Sequence, residues 1–125
     1  MTEERANRLI ADAQRAARKA AWQDLGVYAD GTRRVFGVLK SGRYDFATIN
    51  RAASDHAGRV PYLDTDATPD DSYRLDREDL EEVWFEAWQD AAWEAGKENR
   101  RRLRRERERR EDNRCLSEFR IGTIY

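Results

Sequence analysis

His56 and Cys115 carry the chain's only imidazole and only thiol, so they bound the general-base and thiolate chemistry open to it. A thiol needs an adjacent base to become a strong nucleophile, and no local spacing ties these two residues together. His56 falls on the apolar side of an expected short helix, where a packed imidazole is the simpler reading. One cysteine excludes an intrachain disulfide framework and a multi-cysteine zinc site. Asp64-Thr65-Asp66 opens like a calcium loop, but the EF-hand pattern needs Gly at its sixth position and Glu at its twelfth. Pro69 and Leu75 stand there instead. Asp70, Asp71, Glu78 and Asp79 are acids of the kind that hold Mg²⁺, yet carboxylates clustered in a loop ordinarily stay solvated. No phosphate-cradling glycine loop, nucleophile elbow or zinc spacing occurs. These residues point away from an enzyme, and no metal or cofactor is expected.

Binding chemistry is better represented. Charged residues make up 39% of the 125 positions, and the net charge is only −1. No global field therefore draws the chain to a polyanion. The charge is divided along the sequence: residues 64–98 carry a net −10, residues 100–114 a net +5, and residues 1–59 a net +4. Arg100, Arg101, Arg104, Arg105 and Arg109 belong to a cluster that can neutralise phosphates. Glu106, Glu108, Glu111 and Asp112 are interleaved with it and repel the same phosphates. Asp64, Asp66, Asp70, Asp71, Glu82 and Glu86 form the opposite pole, a carboxylate surface suited to a basic partner.

A helix must present these groups. Leu80, Val83, Trp84, Ala87, Trp88, Ala91 and Ala95 recur at helical spacing and form a broad apolar stripe. At the helical 100° per residue, Trp93 lies on the opposite side, between Glu82 and Glu86. An outward tryptophan is a common interface anchor. The helical pattern runs from Asp76 to Asn113, and a continuous helix of that length measures about 57 Å. A compact domain of this size is only about 35 Å across. The helix thus projects, pairs with a second copy, or breaks at Gly96, the natural stop. Acids before bases oppose the macrodipole, and pairs such as Glu106–Arg110 add a few tenths of a kcal/mol.

The remaining elements complete an α+β expectation for one domain spanning residues 1–125. An alanine-rich helix covers 3–24, with Thr2 as N-cap and Ala6, Leu9, Ile10, Ala13, Ala16, Ala17 and Ala20 on one face. Asp30-Gly31 between two β-rich runs predicts a two-residue hairpin over 26–39. In that register Val27 faces Arg34 and Tyr28 faces Arg33. Asp45 caps a helix over 45–57, with Phe46, Ile49, Ala53 and His56 inward and Gly58 as the stop. Residues 59–75 read as an acidic loop. Alternation of Phe119, Ile121 and Tyr125 predicts a strand over 116–125 that joins the hairpin in a small antiparallel sheet. No internal repeat is visible.

No stretch is apolar enough to cross a membrane, and a lone thiol suits a reducing cytoplasm. In size, polarity and lack of a catalytic signature, the chain resembles the small proteins that mobile elements encode against host complexes, anti-CRISPR proteins included. That likeness is one of composition and covers no motif. The expectation is a non-enzymatic protein-binding module, an inhibitor of a host complex, acting through the acidic surface and Trp93. The alternatives are a nucleic-acid-binding regulator using the Arg-rich segment 100–114, and a structural homo-oligomer, such as a dimer in which acidic and basic helix halves pair antiparallel.

Overall fold

The computed structural model describes residues 1–61, 63 and 73–123, with side chains through 113. Three helices are present: α1 (Glu3–Ala21), α2 (Phe46–Gly58) and α3 (Arg77–Thr123). Each start is fixed by a side chain that satisfies an orphan helical N–H. Thr2 accepts from the Arg5 amide at 3.2 Å, and Asp45 accepts from the Thr48 hydroxyl at 2.7 Å and its amide at 3.4 Å. At α3, Asp76 accepts from the Asp79 amide at 2.8 Å while Asp79 accepts from the Asp76 amide at 3.0 Å. That reciprocal pair is a capping box built from two aspartates.

The core lies along one side of α3. Trp84, Trp88, Ala91 and Ala95 are buried there with Ile49 and Ala53 of α2 and Ala17 and Ala21 of α1. Towards the start of α3, Leu80 and Leu75 bury Ala13 and Ala57. The alanine faces leave no bulk between α1 and α3, so the two backbones can approach closely. The Met1 amino group donates to the Tyr73 carbonyl, and the segment after α1 reaches Asn99, so α1 and α3 run parallel. Arg77 reaches back to Ser54 while Phe46 stacks beside Phe85, so α2 runs antiparallel to α3. Burying Trp84, Trp88, Ile49 and Leu80 stabilises the fold by roughly 1.5 to 3 kcal/mol per side chain.

The α+β expectation is not met. Among the described residues there is no strand, only two isolated antiparallel bridges, Val27–Arg33 and Val38–Tyr44. The expected C-terminal strand is helix through Thr123, and residues 124–125 lie outside the described part. No glycine or proline stands between Lys97 and Ile121 to stop the helix. Glu98–Arg102 at 2.9 Å and Glu106–Arg110 at 3.4 Å staple successive turns of it. Period-two alternation over a few residues cannot compete with a helix already nucleated for several turns. Cys115, expected at a helix–strand junction, therefore sits within α3.

The hairpin also differs in register. The Tyr28 amide bonds to the Thr32 carbonyl at 2.8 Å, and the Gly31 amide to the Tyr28 carbonyl at 2.9 Å. Gly31 has φ +83°. This is a three-residue loop closed by a left-handed glycine, so Val27 pairs with Arg33 and not with Arg34. Eleven residues on, the same arrangement recurs. The Leu39 amide bonds to Arg43 and the Gly42 amide to Leu39, both at 2.8 Å, with Gly42 at φ +87°. The outer bonds, Arg34 to Gly26 and Asp45 to Gly37, correspond as well. Asp30 accepts from the Thr32 amide as Ser41 accepts from that of Arg43. The chain thus contains a repeat of two glycine-closed arches, Gly-Val-x-x-x-Gly, where no repeat was expected.

Both arches dock on α3. Asn99 accepts from the Arg33 amide at 2.8 Å and donates to the Arg33 carbonyl at 2.9 Å, pairing with the arch backbone as a neighbouring strand would. The Trp88 indole donates to the Phe36 carbonyl at 2.9 Å. With its arch edge so occupied, the segment offers no pairing surface for a third strand.

Candidate interaction surface

Helix α3 is continuous through Gly96, and at 47 residues it is about 70 Å long. Of the three outcomes for its length, the break at Gly96 does not occur. Asn99 and Leu103 are its last residues against the arches, and residues 104–113 are exposed except for half-buried Glu106.

The solvent side of α3 is built from a single helical stripe. Asp79, Glu82, Glu86 and Asp90 follow one another at intervals of three or four, all exposed, on the side away from Trp84, Trp88 and Ala91. Trp93 continues the stripe and is 56% exposed. Beyond it the same line passes through Lys97, Arg100, Arg104 and Arg107. Every charge before Trp93 on this line is negative, and these four after it are positive. The Arg100 guanidinium lies 5.0 Å and the Lys97 ammonium 5.7 Å from the indole centroid, so the ring is held between its own chain's cations while much of its area stays in solvent.

Glu82, Glu86 and Trp93, expected to act together, do share this face. Asp64, Asp66, Asp70 and Asp71 lie outside the described residues. The arginines of the alternative reading are dispersed around α3: Arg100 and Arg104 join the Trp93 stripe, Arg101 and Arg105 do not, and Arg109 sits 3.9 Å from Glu106. Glu82, Glu86, Asp90, Arg104 and Arg107 make no ion pair among the described residues.

A cleft of about 390 Å³ separates the arches from α3, lined by exposed Lys40 and Arg100, by Arg33 and by buried Val35. Tyr28 borders it with Arg34 5.0 Å and Lys40 5.8 Å from its ring centroid. Neither the cleft nor the role of Asn99 was foreseen, although the Gly-Val-x-x-x-Gly spacing was a readable signal for the arches that form it. The Asp30 carboxyl at an arch tip is held below its usual range, chiefly by the Thr32 hydroxyl and then by the Thr32 amide.

His56 does not face this cleft. Its Nε2 is buried with no hydrogen-bond partner among the described residues, and burial pushes the imidazole below its ordinary value, with Asp12 opposing and Arg59 adding to that shift. No group of three or more His, Cys, Asp or Glu able to hold a metal occurs among the described residues, nor any helix long and apolar enough to cross a membrane.

Comparison of the chain with family models, with curated proteins and with solved structures finds no match to any of them.

Proposed function

We propose that the protein is a non-enzymatic binding module whose interface is the Trp93 stripe of α3, and that it acts by occupying a basic surface of a protein partner. The supporting observation is that Trp93 stands out from α3 on the face away from the core, in line with Glu82, Glu86 and Asp90, which make no ion pair among the described residues. A large apolar ring at the surface is costly to keep, and tryptophan is the residue type most enriched among interface anchors. Carboxylates at regular spacing can stand where phosphates would sit on a partner, which makes inhibition of a nucleic-acid-handling complex the natural mode.

The test is capture with the full chain immobilised as bait, comparing wild type with Trp93→Ala and with Glu82→Lys/Glu86→Lys. Truncating a central tryptophan anchor costs about 2 kcal/mol or more, roughly thirtyfold in affinity. The variants are expected to lose the captured partner while their far-UV circular dichroism and melting stay as in wild type. Capture unaffected by either variant refutes the reading.

The exposed arginines of the projecting segment favour a second reading, in which that segment contacts nucleic acid. It predicts binding of a labelled duplex that weakens steeply with salt and is lost in Arg101→Glu/Arg104→Glu/Arg105→Glu. No anisotropy change at low salt removes it.

A further inference from the structure

We propose that the partner fitted by the Trp93 stripe is a second copy of this chain, docked antiparallel along α3. This rests on the reading of the stripe as a binding surface and names its occupant. A two-fold interface must be self-complementary, with residue i meeting j and j meeting i. Between Glu82 and Arg107 the stripe satisfies that condition by itself. With the axis level with Ala95, midway between Trp93 and Lys97, Glu82 of one copy comes within one residue of the level of Arg107 of the other. Glu86 then meets Arg104, Asp90 meets Arg100, and Trp93 meets Lys97, each pair twice.

The acidic half is exposed because α1 and α2 pack on the other side of α3, and the basic half because it projects beyond the arches. Antiparallel macrodipoles add to the attraction. A packed coiled coil is not the geometry: residues 104–113 contain no apolar side chain to serve as knobs. The contact is therefore electrostatic, with the two indoles at its centre.

Its size sets its strength. Overlap from Glu82 to Glu108, the span symmetric about Ala95, is about 40 Å long, and a helix face about 10 Å wide gives roughly 400 Å² per copy. Stable interfaces bury about 800 Å² per partner. The pair is a weak, reversible dimer governed by ionic strength.

Sedimentation velocity on the full chain reads this directly. Wild type is expected to dimerise at about 50 mM salt and to be monomeric at about 500 mM, where the Debye length falls from roughly 14 Å to roughly 4 Å. Glu82→Arg/Glu86→Arg/Asp90→Arg and Arg100→Glu/Arg104→Glu/Arg107→Glu are each expected to be monomeric alone and to form a heterodimer when mixed. Wild type that stays monomeric at low salt and high concentration overturns the proposal, as does a mixture that fails to associate while both variants retain their helicity. Should either reversal unfold, Trp93→Ala decides: at least a fivefold weaker dimer is expected, and an unchanged one overturns the proposal. A monomeric wild type whose captured partner is lost in Trp93→Ala defeats self-pairing alone, whereas capture that survives Trp93→Ala defeats the binding surface itself.

Discussion

Replacing Gly37 by alanine should be among the most damaging single changes in the arches, and the structure gives the size of the effect. Gly37 has φ +78°. An added Cβ stands 2.6 Å from Ile49 Cγ1 and 2.8 Å from Trp88 Cζ2, both in the closed core. The left-handed backbone alone costs an L-residue roughly 1 to 2 kcal/mol, and forcing a methyl into a filled core costs roughly 1 to 3 kcal/mol more. The sum is about 2 to 5 kcal/mol. Gly31 is the internal control, because it has nearly the same φ, +83°, and nothing within 4 Å of the added carbon. Gly31→Ala should therefore cost only the backbone part. Urea unfolding followed by tryptophan fluorescence measures both, and a lower midpoint at unchanged m-value identifies loss of stability. Equal midpoints for the two variants would refute the claim that the second arch is seated against Ile49 and Trp88.

Other consequences follow from the same contacts. Asn99→Ala leaves the amide and carbonyl of Arg33 without their partner, at about 1 to 3 kcal/mol for each group that water does not recover. Arg102→Ala, which breaks an exposed pair with Glu98, should cost at most about 1 kcal/mol in the same denaturation series. Trp88→Phe removes the indole bond to the Phe36 carbonyl and leaves a void beside Ile49, so a loss of roughly 2 to 4 kcal/mol is expected by thermal or urea unfolding. Burial holds His56 below its ordinary value of 6.5, so the folded state prefers the neutral ring. The unfolded chain protonates first as pH falls. Its stabilising contribution is then complete above about pH 6.5 and declines as pH drops below it. His56→Gln should flatten the stability profile between about pH 5 and 6.5, above the carboxylate range, and an unchanged slope would exclude this residue as its source.

The helices were legible in the sequence because their signals are local. Thr2 and Asp45 cap as expected, and the spacing of Leu80, Trp84, Ala87, Trp88, Ala91 and Ala95 does mark the buried side of α3. The sheet was not legible, because strand pairing is decided by what lies alongside. Val27 and Val38 look like strand residues, yet Asn99 of α3 takes the backbone groups of Arg33 that a neighbouring strand would otherwise use. Asp30-Gly31 marked a turn correctly, but one dipeptide does not fix loop length, and the third loop residue shifted the register by one. Phe46 was expected inward; it is 56% exposed and lies in edge contact with Tyr44 and stacked beside Phe85. Gly96 did not end the helix, because Ala95 and Asn99 are anchored on either side of it and hold the backbone helical. At the surface, the acidic run and Trp93 were readable as separate features. Their alignment with Lys97, Arg100, Arg104 and Arg107 depends on helical continuity through Gly96, which composition alone leaves open.

The two arches, α1 and α2 all serve one end in this account: they cover the inner side of α3 and leave its outer stripe as the working surface. Site-specific photo-cross-linking tests that most directly, with a benzophenone side chain at exposed Gln89, which flanks the Trp93 stripe, or, as a control, at the exposed Arg51 position of α2, in cells that express the protein. A protein adduct is expected from position 89 and none from position 51, with the adduct's mass distinguishing a second copy from another protein. Adducts from both positions alike, or none from position 89, would contradict this assignment.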